Sequence, residues 1–379
     1  MDLADPNLGC AVAEGGMHFR TLEAWRLAAA LTVMMWHFLR YAPSGHEAAS
    51  AALYRLMPLM EMFFMISGFL IMLRYADTLM AEPSSFRRFI VRRLARLYPL
   101  YLVTLLFFCI VAGALHFGLV QTQQPERYAW TALPANLLLV QAWGLTDDLT
   151  FNYVSWTLSA EWFCYLALPV IVLAYRRHGM WGLAVVAASA VTVLETAVVL
   201  GWIPFPSWLE ANTWGAYRAF VDFALGAMVA MAVRSSKLRL SSHLPGWLAF
   251  VLAVAAMATQ QNAYVIVLLL AAATFLAALA ERNNPDGALF LKPLHPLGRV
   301  SFGIYMIHPV IETLLLALVW RKLVEPLDLV GFYTFWLVPA ATVLVVAMAS
   351  DRYFEGPVSQ YLNSRLGLEK PKAARRRIA

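Results

Sequence analysis

Charged residues are scarce in this 379-residue sequence. Asp, Glu, Lys and Arg make up 14% of it, whereas hydrophobic residues make up 61%. Because a soluble globular domain carries about 25% charged residues, the shortage of charge excludes an ordinary soluble protein. It predicts a chain that lies mostly within lipid.

Signatures of several other classes of protein are also missing. Only three cysteines occur, Cys10, Cys109 and Cys164, and their spacing fits neither a disulfide framework nor a metal site. The sequence has no HExxH pattern, no two histidines at ligand spacing on one helix and no glycine-rich phosphate loop. We therefore predict that no metal takes part. The first 18 residues lack an apolar core, so we expect no cleavable signal peptide, and the first hydrophobic segment would act as an uncleaved insertion signal.

Long hydrophobic segments dominate what is present. Ten of them approach the roughly 20 residues that cross the hydrocarbon core of a bilayer. Their predicted bounds are 21–41, 56–74, 97–117, 155–175, 180–200, 215–233, 244–259, 262–281, 298–320 and 331–350. The sequence therefore predicts an all-α polytopic membrane protein with about ten transmembrane helices. We divide it into a tail (1–20), a transmembrane domain (21–355) and a basic tail (356–379).

The basic residues predict the orientation of these helices. If the N-terminus is cytoplasmic, then of the 29 Lys and Arg residues two lie within spans and 22 lie inside. Five lie in outside loops, namely Arg40, Arg55, Arg127, Arg321 and Lys322. This bias follows the positive-inside rule and predicts both termini in the cytoplasm. The net charge of +6 is therefore a sign of membrane topology, and no nucleic-acid partner is predicted.

Arg26 and His37 are the most informative pair of residues. They lie eleven positions apart in one apolar segment, which is about three helical turns, so both project from the same helix face about 16 Å apart along its axis. Charged and titratable residues within a span usually line a polar path. The pair predicts a fixed cation for an anionic group and a nitrogen for proton transfer.

The segment 86–99, FRRFIVRRLARLYP, predicts an amphipathic helix at the cytoplasmic boundary that leads directly into the third span. Its arginines have two interpretations. They could only anchor the helix to lipid headgroups, or Arg93 and Arg96, at positions i and i+3, could bind phosphates.

Two further spans carry candidate polar groups. Ser67 and Gly68 interrupt the apolar run FFMISGFLI; they either allow close helix packing or leave room for a ligand, with Ser67 as a hydrogen-bond donor. Glu161 lies near the outer end of the fourth span, and an acidic residue there usually has a function. It could orient His37 or pair with Arg218.

His308 lies deep in the ninth span, directly before Pro309, and Glu312 follows one turn later on the same face. The histidine could simply form a hydrogen bond at a proline kink. The alternative is that it is a second functional histidine.

Six short elements, in order from residue 22 to 357, resemble those of the acyltransferase-3 family of membrane acyltransferases, which modify bacterial surface polysaccharides, lipopolysaccharide and some antibiotics. They are Arg26 with His37, FFxxSGF at 63–69, RxxR before YP at 93–99, SWxLSxEW at 155–162, LGxxSxxIYxxHP at 297–309 and FExP at 354–357. One departure is the opening LEAWRL, which stands where the family usually has a sequence like LDGLRG. Glu23 therefore replaces an Asp, and two glycines are lost.

The resemblance implies an acyl-CoA donor bound from the cytoplasm, an acceptor hydroxyl on a glycan or lipid-linked sugar, and a position in the bacterial inner membrane among lipids. Acetyl is the default acyl group. The first-span histidine is the residue expected to catalyse transfer, and the arginines are linked to the donor. We assign catalysis to His37, Glu161 and Arg26, donor binding to Arg26, Arg93, Arg96 and Ser67, and acceptor binding to His308 and Glu161.

The order of chemical steps stays open at this point, because direct transfer and an acyl-His37 intermediate both fit the residues. Two other functions compete. A secondary transporter or a flippase of lipid-linked glycans would also carry buried Arg, Glu and His residues. A polyprenyl-phosphate glycosyltransferase is disfavoured, because the longest outside loop, 118–154, has no acidic cluster.

Overall fold

The computed structural model describes residues 18–82, 84–210 and 212–368. Within these ranges the protein is all-α, without a strand, which confirms the predicted fold class. Cys10, most of the predicted N-terminal tail and the polybasic end of the C-terminal tail lie outside the described residues.

Fourteen α-helices are described, of which several are single turns. They are α1 (Arg20–Leu39), α2 (Glu47–Arg55), α3 (Leu59–Ala81), α4 (Ser85–His116), α5 (Leu133–Leu137), α6 (Trp156–Val199), α7 (Gly215–Ser235), α8 (Leu244–Ala258), α9 (Ala263–Asn283), α10 (His295–Arg299), α11 (Ser301–Ile311), α12 (Phe332–Phe335), α13 (Leu337–Ser350) and α14 (Gly356–Arg365). Two π-helical segments extend α11 and α13, over Glu312–Val324 and Asp351–Glu355 respectively.

Seven helical segments of the described chain are long and apolar enough to cross a membrane. They are Glu47–Ala81, Ser85–His116, Tyr153–Val199, Gly215–Ser235, Ala263–Asn283, Ser301–Val324 and Phe332–Arg365. The predicted number of ten is not confirmed. Two of the predicted spans, 155–175 and 180–200, lie within α6, where two helices meet at a kink at Gly179, whose φ of 58° favours glycine. Of the others, α1 carries charged residues and α8 has only 15.

The predicted amphipathic helix and third span form the continuous helix α4. We refer to the end of the protein where α1 and α4 begin as the arginine-rich end. There, the Glu281 carboxylate accepts hydrogen bonds of 2.7 Å from the backbone N–H groups of both Arg20 and Thr21. These are among the donors that a helix N-terminus leaves unpaired, so Glu281 holds the start of α1. One turn later, Glu23 lies 2.8 Å from His295.

Helices α3 and α7 pack at close range. A Cβ atom on Gly68 would lie 2.1 Å from the backbone oxygen of Phe223, and one on Gly226 would lie 1.9 Å from that of Met65. Only glycine fits at both positions, which confirms the interpretation of Gly68 as a packing residue. The contact fixes the position of Ser67 on the same helix.

Candidate active site

His37 faces into the protein near the end of α1. The residue is 8% exposed, and its ring centroid lies 4.7 Å from that of Tyr153 and 5.4 Å from that of His308. Nδ1 of His37 has no hydrogen-bond partner in the part of the chain that the structure describes. The ring nitrogens of His308 meet no partner at full hydrogen-bond geometry, but the backbone carbonyls of Ile304 and Tyr305, on the preceding turn, lie close enough to interact with them. Since most buried polar atoms are satisfied, Nδ1 of His37 is a candidate to contact a substrate.

A tyrosine–carboxylate pair borders the two imidazoles. The Tyr153 hydroxyl donates a hydrogen bond to Glu312, which lies one turn after His308 at the start of the first π-helical segment. Such π-helical turns often occur at functional sites. The spacing from His308 pointed to Glu312, but nothing in the sequence singled out Tyr153. Together these four residues form what we call the histidine site: His37, Tyr153, His308 and Glu312.

At the arginine-rich end, Arg26, Arg93 and Arg96 come together from α1 and α4. Arg26 lies within electrostatic range of both Arg96 and Glu161, and Arg93 also lies within range of Glu161. We call these four residues the arginine site. Arg26 and the two arginines of the RxxR element, all assigned to donor binding from the sequence, therefore lie together, and that role stays a prediction.

Two of these arginines, Arg26 and Arg93, lie over aromatic rings. The guanidinium carbon of Arg26 lies 5.3 Å from the ring centroid of Phe63. That of Arg93 lies between 5.4 and 5.9 Å from the centroids of Tyr165, Phe89 and Tyr75. The buried Nε atoms of both arginines have no hydrogen-bond partner among residues 18–82, 84–210 and 212–368. Neighbouring like charges are unfavourable unless an opposite charge joins them, so the arginine site suits a polyanionic group.

Ser67 and Glu161 belong to the arginine site rather than to the histidine site. The Ser67 hydroxyl donates a hydrogen bond to Glu161, and Glu161 also interacts with the Tyr165 hydroxyl. The predicted contact in which Glu161 orients His37 is not formed at Nδ1, which has no partner among the described residues.

The predicted pairing of Glu161 with Arg218 is wrong. Arg218 forms its ion pair with Glu61, at 2.9 Å, because Glu61 lies in the first turn of α3, beside the start of α7. Asp222 lies next to Glu61, and the Arg218 guanidinium carbon lies 4.7 Å from the Trp156 ring centroid. The sequence analysis missed both Glu61 and Asp222, although acidic residues within spans are a recognisable signal.

No group of three or more His, Cys, Asp and Glu side chains that could hold a metal ion occurs within the described ranges. The groups that could hold a ligand are instead the guanidinium groups of the arginine site and the imidazoles of the histidine site. Arg26 and His37 project from one helix, so α1 connects the two sites.

Comparison with known proteins identifies the relatives of this chain. The sequence model of a family described as "Acyltransferase domain" matches residues 19–350. Acyltransferase MdmB of Streptomyces mycarofaciens is 28% identical over 316 residues, which cover 76% of this chain and 77% of that protein. Nodulation protein 10 of Rhizobium leguminosarum bv. viciae is 26% identical over 370 residues, covering 88% of this chain and 91% of the relative. No solved structure matches the chain significantly.

Proposed function

This chain belongs to the acyltransferase-3 family and is a membrane enzyme that transfers acyl groups, and from that premise we propose its substrates. The donor is a cytoplasmic acyl-CoA, by default acetyl-CoA. The acceptor is a hydroxyl of a cell-surface glycan or a lipid-linked sugar, so the activity is O-acetyl transfer. The observation that carries the proposal is that one helix, α1, supplies Arg26 to the arginine site and His37 to the histidine site, about 16 Å apart along its axis.

The arginine site supports a donor with phosphates at one end. Guanidinium groups bind phosphate oxygens through paired, charge-assisted hydrogen bonds. Arg96 is exposed, whereas Arg26 and Arg93 are partly buried, so the three residues extend from the surface into the protein. We propose that the phosphates of the donor bind here from the cytoplasmic side, and that Ser67 and Glu161 line the path of its pantetheine arm.

The histidine site supports the chemical step. His37 takes the proton from the acceptor hydroxyl as that oxygen attacks the thioester carbonyl. When the resulting adduct collapses, the new ester bond remains, the carbon–sulfur bond breaks, and the thiolate receives the proton from His37. A neutral imidazole is thus regenerated. We propose that His308, whose ring centroid lies 5.4 Å from that of His37, contacts the acceptor.

Replacement of His37 tests this function. Membranes that contain the protein are supplied with acetyl-CoA labelled in the acetyl group, and labelled glycan is measured. We expect His37→Ala to abolish labelling while the protein remains inserted and folded, because the general base contributes about 10²–10⁴-fold to such a step.

His46→Ala is the matched control. His46 lies seven residues after the end of α1, and its Nδ1 atom is 2.8 Å from the carbonyl oxygen of Pro43, so its loss should leave labelling unchanged. Full labelling in the His37→Ala variant would overturn the assignment. Movement of a glycan across the membrane without any acetyl label would favour a transporter or flippase.

A further inference from the structure

Three arginines surround the histidine site at the end of the protein opposite the arginine-rich end. Each lies over an aromatic ring: Arg40 over Trp36 at 5.7 Å, Arg127 over Tyr153 at 4.5 Å and Arg321 over Tyr41 at 4.5 Å, measured from guanidinium carbon to ring centroid. We call Arg40, Arg127 and Arg321 the arginine collar.

The aromatic rings connect the collar to the reacting groups. Trp36 and Tyr153 both contact the imidazole of His37, and Tyr41 interacts with the carboxylate of Glu312. Arg40 and Arg127 also lie within electrostatic range of His37. The three positive charges therefore lie beside the histidine site and not on a distant surface.

The collar carries uncompensated positive charge. None of its members forms an ion pair within 4.0 Å across the described segments of the chain, whereas Arg218, Arg234 and Arg299 each pair with a carboxylate at 2.6 to 2.9 Å. Glu312 is within electrostatic range of Arg40 and Arg127, but it already accepts a hydrogen bond from Tyr153. Two guanidinium groups thus lie near this one buried carboxylate, and the third, that of Arg321, lies over the ring of Tyr41.

Membrane topology does not explain these positions. In the proposed orientation the collar is outside, where the positive-inside rule disfavours basic residues. The three arginines come from separate segments, namely the end of α1, the loop after α4 and the π-helical extension of α11. Arg55, which is also outside, instead donates to the backbone oxygen of Ala258 at 3.3 Å.

We propose that the collar binds an anionic group on the acceptor, a carboxylate or a phosphate, close to the hydroxyl that is acylated. This inference rests on the proposed function and specifies its acceptor as an acidic glycan or a phosphate-linked sugar. Each ring supports the flat face of a guanidinium group and leaves its N–H groups available for paired hydrogen bonds to an anion.

The test starts from the labelled glycan that membranes make from labelled acetyl-CoA in a His37-dependent reaction. We expect this product to bind to an anion-exchange resin at neutral pH. Treatment with phosphatase after mild acid hydrolysis distinguishes the two sources of charge: the product loses its charge if a phosphate is responsible and keeps it if a sugar carboxylate is. A neutral labelled product would overturn the proposal.

Variants of the collar provide a second arm. Arg127→Gln and Arg321→Gln should each lower the rate of labelling at limiting acceptor about tenfold or more, the scale of a lost charge-assisted hydrogen bond. Arg127→Lys should retain part of the activity. Added salt should slow the wild-type reaction and have less effect on Arg127→Gln, because screening weakens only the charge that remains. A purely structural role would not change this dependence on salt.

Arg55→Gln is the matched control, because it removes an outside arginine that is not part of the collar. If Arg127→Gln, Arg321→Gln and Arg55→Gln label the glycan equally, the proposal that the collar binds an anionic acceptor is contradicted. The proposed acyltransferase function would still stand. The absence of any His37-dependent labelled product would instead contradict the proposed function itself, so the two failures are distinguishable.

Discussion

At the scale of single residues, Arg93 and Arg96 show how position changes the role of one side chain. Arg93 lies among three aromatic rings, while Arg96, one turn later, is exposed. Both also lie within electrostatic range of Arg74. Arg93 thus has contacts that a solvated lipid anchor would not need, whereas the phosphate-binding role of the pair stays a prediction.

We expect Arg96→Ala and Arg93→Ala to raise the KM for acetyl-CoA by about tenfold, because each removes a charge-assisted hydrogen bond to phosphate. The measurement is the initial rate of labelling against donor concentration. Arg87→Ala, on the exposed surface of the same helix, is the control and should leave this KM unchanged. If the KM for acetyl-CoA is unaltered in both the Arg93→Ala and the Arg96→Ala variants, the alternative interpretation of these residues as lipid anchors is supported.

The sequence predicts some of these residue environments and not others. The spacing of Arg26 and His37 correctly places both side chains on the inward face of α1, because helical periodicity alone determines it. The partner of Arg218 could not be predicted, since it depends on which turn of α3 lies beside the start of α7. Tyr153 was missed for the same reason: its contact with His37 is made only in the folded protein.

At the scale of elements, the approach of α3 to α7 depends on glycine. Gly68→Ala places a methyl group 2.1 Å from a backbone oxygen, so the two helices must separate. We expect a destabilisation of roughly 1–3 kcal/mol, typical of overpacking, and a lower midpoint of thermal unfolding in detergent. Gly113→Ala is the control, because beyond the adjoining backbone of its own helix no atom lies within 4 Å of the added carbon, and alanine is the better helix former. Equal midpoints for the two variants would contradict this account.

Hydrophobic patterning predicts that the helices exist and roughly where they lie, since every predicted span coincides with helical structure. It cannot predict the two π-helical segments, Glu312–Val324 and Asp351–Glu355, because an extra residue in one turn leaves the composition of a segment unchanged. The kink within α6 falls at Gly179, between the predicted spans 155–175 and 180–200, because glycine adopts a positive φ without steric cost.

At the scale of the whole molecule, the arginine site lies toward the start of α1 and the histidine site toward its end, an arrangement that suits a donor and an acceptor approached from opposite sides of the membrane. We expect a membrane-impermeant thiol reagent to label Ser44→Cys in intact cells, because this exposed residue follows the end of α1. Ser84→Cys, exposed before α4, should react only after permeabilisation. The unsubstituted chain gives the background from the native cysteines, and the reverse pattern would contradict the proposed orientation.

The capped start of α1 has a consequence for which donors the enzyme accepts. Glu281 fixes the first turn of α1, and the eleven residues from Arg26 to His37 fix the distance between these two side chains. In the proposed function this distance sets the length that a donor must span. If the thioester of a donor lay much nearer to its phosphates, or much farther from them, its carbonyl would not lie beside the imidazole of His37. Under the proposed function we therefore expect selectivity for the length of the carrier arm to follow from helix geometry, without any contact with the acyl group.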